Sequence, residues 1–374
     1  MAMSGGVDSS VAAALLRRRG FEVEGVYMKL TNNKQQTDNS EEYAKKVAEK
    51  IGIPLKVVDL REEFKKSVID YFLREFKAGR TPNPCVDCNQ KIKFGLLLKK
   101  AMQMKADYIA TGHYARLRRE IPNPKSQFPG ESQIQNPKTK YTLLSAKDKI
   151  KDQSYFLYNL TQEKLARILF PLGGYKKSEV YQMAEKWKLP YKKGESMDIC
   201  FVGGQEHRKF LKKRLGVKKG KIVNTAGKVL GKHQGIWFYT IGQRADIGGP
   251  GPFYVVKIDA KKNLVVVSNK FRGEELYGKK LIAKNVNWIS GTEPKMPLSC
   301  RARIRYGHEA VPTNVSKQLT ANSKQKNEYY VKFNQSQMAI TPGQSVVFYR
   351  GNEILGGGVI SWLVGWLMPN FIRC

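Results

Sequence analysis

Apolar positions in the first half of the chain alternate between a two-residue and a 3.6-residue period, the pattern of helices laid over a mostly parallel sheet. Residues 10–19 give the first predicted helix and 21–29 a strand. Asp38, with Glu41 three positions on, makes a capping-box-like start for a helix ending near Gly52. Residues 55–60 form the next strand. Phe64, Val68, Tyr71, Phe72 and Phe76 then recur at helical spacing, and 107–111 reads as a strand that delivers Gly112, His113 and Tyr114 to its end. Ligands collect at strand C-termini in such folds. From Lys221 onward the pattern becomes short β runs between turns, at 264–268, 302–306, 329–333 and 346–349. The predicted architecture is an α/β Rossmann-like N-terminal domain with a parallel sheet (1–202), a small mostly-β central domain (203–277) and a C-terminal β-barrel (278–361).

Two segments depart from this plan. Residues 120–140 hold four prolines among Asn, Gln, Ser and Lys, too little apolar surface to offset ordering entropy, and read as a mobile insertion. The segment 362–374 opens on an apolar run that falls short of the ~20 residues a spanning helix needs, so it is an atypical tail and no membrane anchor. Only Met1, Ala2 and Met3 precede the first glycine-rich turn, which makes the first strand look cut short.

Charge narrows the partners. Lys and Arg number 66 against 32 Asp and Glu, a formal net charge of +34, and such a field attracts polyanions, nucleic acid foremost. The plainer reading, a lysine-rich source composition, would leave the charge without a stripe. No apolar signal core opens the chain, which points to the cytoplasm and to reduced thiols. Five scattered cysteines are too few for a disulfide framework and turn attention to catalysis or metal binding.

The chemistry begins with Met3-Ser4-Gly5-Gly6-Val7-Asp8-Ser9-Ser10, which opens directly onto a helix. Glycines let backbone amides approach phosphate oxygens, and the helix N-terminus adds unpaired N–H groups and positive dipole. No Gly-Lys-Ser/Thr follows, so this is not a Walker loop. The string resembles the pyrophosphatase-type loop shared by GMP synthetase, argininosuccinate synthase and several tRNA-thiolating enzymes.

The choice among these comes from Thr81-Pro82-Asn83-Pro84-Cys85-Val86-Asp87-Cys88-Asn89 followed by Lys91-Ile92-Lys93-Phe94, which resembles the tRNA-specific 2-thiouridylases. Further matching segments are 111–115, 151–155, 198–201, 239–244 and 341–344, in order along the chain. The resemblance implies adenylation of the 2-carbonyl oxygen of the wobble uridine by ATP with Mg²⁺, then sulfur transfer. A cysteine suits that second step because it holds sulfur as a persulfide that another thiol can open. By resemblance Cys200 carries the persulfide and Cys88 is the nucleophile, while Met28 and Gly112 line the nucleotide together with residues 3–10. Asn83, Pro84 and Cys85 correspond to target-base contacts. Lys151, Asp152 and Gln153 form one tRNA-binding segment and Arg305 with Tyr306 a second, with His113 and Gln344 near the anticodon loop. The implied partners are the anticodon stem-loop of Lys, Glu or Gln tRNA and a sulfur-relay or cysteine-desulfurase donor, acting on a monomer.

Alternatives remain at the cysteines. Cys85 and Cys88 have the spacing of half a zinc site, and Cys85, Cys88 and Cys200 together could hold an iron–sulfur cluster with one open iron. A common form of the family has Asp where Cys85 stands, so Asp87 is the nearest substitute acid or base. Lys91 and Lys93 are placed to favour the Cys88 thiolate electrostatically. Two competing functions stay open: a synthetase that adenylates a small metabolite, and a catalytically silent RNA-binding protein.

Overall fold

The protein, seen in a computed structural model, is described over residues 1–31, 39–120, 139–192, 194, 199–202, 207–248, 251–270, 273–317 and 327–363, with backbone alone for 362 and 363. The N-terminal region runs β1 (Ala2–Met3), α1 (Val7–Arg18), β2 (Gly25–Lys29), α2 (Ser40–Ile51) and β3 (Leu55–Asp59). The three strands lie parallel in the order β1-β2-β3, so even two residues of β1 find a partner, Ala2 beside Val26 and Met3 beside Tyr27. Ala12, Ala13 and Ala14 are buried, and side chains this small let α1 approach its neighbours closely. Arg17 and Arg18 complement the dipole at its last turn.

A helical stretch follows as α3 (Arg61–Phe64), a π-helical turn (Lys65–Ile69) and α4 (Asp70–Lys77), and it buries the predicted row Phe64, Val68, Phe72 and Phe76. A second helical stretch starts at α5 (Pro84–Asp87), passes through a π-helical segment (Cys88–Leu97) and ends in α6 (Leu98–Gln103). Then come β4 (Ile109–Ala110), β5 (Ala115–Glu120), β6 (Lys140–Ser145), α7 (Gln162–Leu165), β7 (Ile168–Leu169), α8 (Lys177–Lys186) and α9 (His207–Leu215). β4 and β7 pair in parallel.

The rest is β structure. β8 (Gly220–Asn224), β9 (Val229–His233), β10 (Arg244–Ala245), β11 (Phe253–Asp259) and β12 (Leu264–Ser268) form a five-stranded sheet in the order β10-β11-β12-β8-β9. β13 (Tyr277–Trp288), β14 (Leu298–Arg303), β15 (Val311–Lys317), β16 (Tyr329–Met338), β17 (Ser345–Arg350) and β18 (Glu353–Leu363) follow. They run in the order β13-β16-β15-β14-β17-β18, and β13 also pairs with β18, closing a six-stranded barrel. β6 extends this sheet through Glu353 and Leu144, which attaches the β5–β6 hairpin of the N-terminal region to the barrel.

Several expectations change. α1 begins at Val7 rather than residue 10, because buried Val7 joins the core and Gly6, in extended conformation, serves as N-cap. The strand expected from residue 21 starts at Gly25, and Phe21 is exposed. Asp38 lies outside the described residues, and Asn39, at the N-cap of α2, makes no side-chain cap bond. The insertion expected at 120–140 falls mainly on residues 121–138, outside the described set, as do 364–374 of the expected tail. Residues 362 and 363 continue β18, with Trp362 beside Ile282 and Leu363 beside Leu281. No helix among the described residues is long and apolar enough to cross a membrane.

Candidate active site

The loop between β1 and α1 is shaped by its own hydroxyls. Ser4 N–H donates to Ser9 Oγ (3.1 Å), and Ser9 Oγ and Ser10 Oγ each donate to Gly6 O (3.0 Å). These serines therefore tighten the turn instead of capping α1, and no side chain caps its first N–H groups. Gly5 has φ +77°, and a Cβ there would collide with the Ser40 carbonyl oxygen and lie 3.2 Å from Tyr43 Cβ. Gly112, just past β4, lies so close that a Cβ would sit 3.0 Å from Asp8 C and Ser9 N. Met28 stands one residue before the end of β2. Residues 3–10, Met28 and Gly112 thus share the C-terminal edge of the parallel strands.

Asp8 points away from a simple cap. It accepts from Tyr114 Oη (2.7 Å) and from Lys177 Nζ through both carboxylate oxygens (2.7 and 2.8 Å). Neither partner was expected from the sequence: Lys177 is the first residue of α8 and lies 169 positions from Asp8.

The cysteine motif starts at Pro84, which suits a first helical position because it lacks an N–H. Cys85 is exposed at this turn and Cys88 is buried where the helix loosens into π geometry, a form common at functional sites. Cys200 is exposed, and its neighbour Phe201 is anchored in the core edge-on to Phe64 (5.7 Å) and Phe72 (5.2 Å). Cys88 and Phe201 belong to one apolar cluster, against which Ile199 also packs. The fold therefore brings together two cysteines separated by more than a hundred residues. All three thiols lie within electrostatic range of one another and of Lys93.

Burial pushes the Cys85 and Cys88 thiols up, and it pushes Cys200 up to about 12 even though one side of that residue meets solvent. Lys93 opposes the shift at each of them. Lys91 plays a different part from the one expected, because its ammonium pairs with Asp87. Burial raises the Asp87 carboxyl, and the carboxylate charge in turn disfavours the Cys88 thiolate.

His113 is buried between Phe94 and Phe170, with Nδ1 2.7 Å from Thr111 Oγ1 and Nε2 3.4 Å from Lys93 Nζ. An ammonium offers only hydrogens, so Nε2 accepts and the ring proton sits on Nδ1. Burial first, then Lys93, holds the imidazole well below its usual pKa, and it stays neutral. Lys93 thus joins the thiols to His113, whose neighbour Gly112 abuts the loop.

The remaining expected positions form a second group. Gln153 exchanges bonds with the Tyr114 backbone (3.0 and 2.8 Å), while buried Asp152 accepts from Ala146 N, Ser154 N and Ser154 Oγ. The carboxylate of Asp152 is thereby turned inward, 3.8 Å from Arg303. Lys151 N donates to Asp148 Oδ1. Tyr306 falls beyond β14, against the expected strand 302–306, and its exposed ring lies 4.6 Å from Phe156. Arg305 reaches Ala339 O and Thr341 Oγ1, and burial lowers its pKa. Gln344 Nε2 donates to Thr81 O (2.8 Å) and Pro82 O (3.3 Å), beside Asn83 and Pro84. Asn89 Nδ2 donates to Phe156 O (3.2 Å) and links the two groups.

Among the described residues no three His, Cys, Asp or Glu side chains converge closely enough to hold a metal ion. The iron–sulfur cluster or zinc site that the spacing of Cys85, Cys88 and Cys200 suggested therefore finds no support among the described residues.

A phosphate-type loop on a parallel sheet, paired with clustered thiols and followed by two β modules, defines a nucleotide-dependent α/β enzyme class, and the comparisons agree. Residues 1–204 match the profile of the tRNA methyl transferase HUP domain, 208–269 the tRNA methyl transferase PRC-barrel domain and 278–360 the aminomethyltransferase beta-barrel domain. The chain is 45% identical over 377 residues to a tRNA-specific 2-thiouridylase MnmA from Geobacter metallireducens, covering 96% of this chain and 95% of the relative. The protein of the same name from Carboxydothermus hydrogenoformans is 44% identical, with 96% of each covered. A solved NMN synthetase from Francisella tularensis aligns at 16% identity and TM-score 0.32 over 58% of this chain and 71% of that one, too remote to carry an argument. The chain belongs to the tRNA-specific 2-thiouridylase family.

Proposed function

We propose that this enzyme uses ATP to replace the 2-oxygen of the wobble uridine of tRNA with sulfur. The observation that carries the reading is the placement of Lys93: it faces Cys85, Cys88 and Cys200 electrostatically and contacts His113, next to the Gly112 that packs on the loop. Nucleotide site and thiols are therefore parts of one centre.

The 2-oxygen is a poor leaving group until it attacks the α-phosphorus of ATP; an O–P bond forms and pyrophosphate departs. The terminal sulfur of a Cys200 persulfide then attacks C2, and AMP leaves with the oxygen. Cys88 thiolate next opens the S–S bond at Cys200, which leaves sulfur on C2 and a Cys88–Cys200 disulfide for an external thiol to reduce. Both thiols sit high in pKa, and among the described residues Lys93 is the charge that favours both thiolates. The loop amides and the N-terminus of α1 hold phosphate. Mg²⁺ would accompany the triphosphate, with Asp8 the carboxylate at the loop suited to it. Tyr306 and Phe156 offer an aromatic platform for an unpaired base.

The matched profiles carry methyl-transferase descriptions, but a thiol pair beside a pyrophosphate loop answers the demands of thiolation. ATP-dependent formation of 2-thiouridine in tRNA by wild type, Cys88→Ala and Cys200→Ala tests the reading. Loss in both variants is expected. Full activity in either would overturn the two-thiol scheme, and AMP release without tRNA would favour a small-metabolite synthetase.

A further inference from the structure

We propose that Lys177 is the cation that binds the triphosphate of ATP at the Ser4–Ser10 loop, and that Asp8 holds it in place until ATP arrives. This rests on the ATP reading above. Asp8, a residue of this loop, would alone repel a polyphosphate, and Lys177 is paired with it. Lys177 Nζ lies 2.7 and 2.8 Å from the two Asp8 oxygens, and its side chain is only 13% exposed. The ammonium sits over the rings of Tyr181 (5.0 Å) and Tyr114 (5.9 Å), which fix its approach.

The surroundings argue against a simple strut. Asp8 is more open than Lys177, with 36% of its side chain exposed, so the carboxylate is the partner free to turn away. Tyr114 Oη also donates to Asp8, so the carboxylate keeps a donor when it releases the lysine. A lysine is a point charge on a flexible stem, and it can exchange a carboxylate for a phosphate oxygen without leaving its cradle. The backbone N–H of Lys177 donates to Asp148 Oδ2 (2.9 Å), and Asp148 Oδ1 also takes Ile150 N and Lys151 N. The first turn of α8 is thus one bond from the segment expected to meet tRNA.

The test is calorimetric titration of the full chain with ATP and, separately, with AMP, for wild type, Lys177→Met, Lys177→Arg and Lys176→Ala. Lys177→Met is expected to weaken ATP binding by roughly tenfold or more, to leave AMP binding within about twofold, and to be partly rescued in Lys177→Arg. Lys176→Ala removes the same unit of charge from an exposed neighbour and should bind ATP like wild type. Unchanged ATP affinity in Lys177→Met, or equal loss for ATP and AMP, would overturn the proposal, the latter pointing to a structural pair. A thermal melt of each variant identifies a folding defect, and a defect rescued by Lys177→Arg in stability alone would also count against it. If wild type itself binds no ATP, the functional reading fails, which is a separate result.

Discussion

Gly5 and Gly6 are adjacent in sequence and should respond in opposite ways to the same methyl group. Gly5 adopts φ +77°, where an L side chain costs roughly 1–2 kcal/mol. Its Cβ would also press on the Ser40 carbonyl group and on Tyr43 Cβ, neither of which is a flexible side-chain end, and overpacking of this kind costs about 1–3 kcal/mol. Gly5→Ala should therefore lose about 2–5 kcal/mol, a fall of roughly 4–20 °C in melting temperature for a domain of this size. Gly6 has φ −84° and ψ 162°, which alanine adopts freely, and the nearest atom to a new Cβ is Ser4 Oγ at 3.7 Å. Gly6→Ala should melt at or slightly above wild type, by up to about 1 kcal/mol through the unfolded chain. It should still weaken ATP binding, because the methyl stands where loop amides meet phosphate. Thermal unfolding by circular dichroism with ATP titration of each variant reads both effects. Equal melting of Gly5→Ala and wild type would refute the strain argument, and equal destabilisation by the two variants would refute the division of roles.

Three further outcomes follow from the same geometry. Lys93→Met removes the charge that favours the thiolates, so thiol pKa values rise and iodoacetamide labelling of Cys88 and Cys200, read by peptide mass mapping, moves to higher pH; labelling at unchanged pH would separate Lys93 from the thiols. Phe201→Ala empties a site ringed by Phe64, Phe72 and Phe210 and should cost about 3–5 kcal/mol in urea unfolding. Phe201→Leu should recover most of that and of the thiolation rate; equal loss in the two would mean that volume is not what holds Cys200. Tyr306→Ala should weaken tRNA binding in filter assays by about 1–3 kcal/mol while the salt slope stays fixed, and Tyr306→Phe should bind normally, whereas a changed slope would show that Tyr306 orders a charged contact instead.

What the sequence made legible was local. The loop could be read because glycines and hydroxyls at close spacing leave few alternatives, and the helical row from Phe64 to Phe76 because its period is uninterrupted. Ser9 and Ser10 were harder: their hydroxyls were available either to cap or to back-bond, and the burial of Val7 decided for the second. Tyr306 looked like part of a strand until the turn at Gly307, with φ +80°, broke the run after Arg303. Long-range pairing left no local trace. Nothing in the period of residues 140–145 shows that Leu144 will sit beside Glu353, nor does a lysine heading α8 point to Asp8. The cluster suggested by three cysteines finds no support for a related reason, since spacing alone fixes neither depth nor direction.

The two β modules also hold the cysteine motif in place. Thr81, four residues before Cys85, bonds to Thr240 Oγ1 of the central domain at 3.1 Å, and its N–H donates to Pro342 O of the C-terminal domain at 2.9 Å. Gln344 takes up the Thr81 and Pro82 carbonyls, and Gly343, at φ +93°, fits over Thr81 where a Cβ would come within 2.9 Å of its oxygen. Thr81 and Pro82 are thus held by both β domains, and together these bonds fix the entry to α5. Phe201, the neighbour of Cys200, completes the arrangement from the other side by packing into a cluster that includes Cys88 and, from the central sheet region, Trp237 and Phe238. The entry to the cysteine motif and the anchor beside Cys200 are therefore both braced by the β modules, so a change in how those modules sit on the N-terminal domain would reach the cysteines.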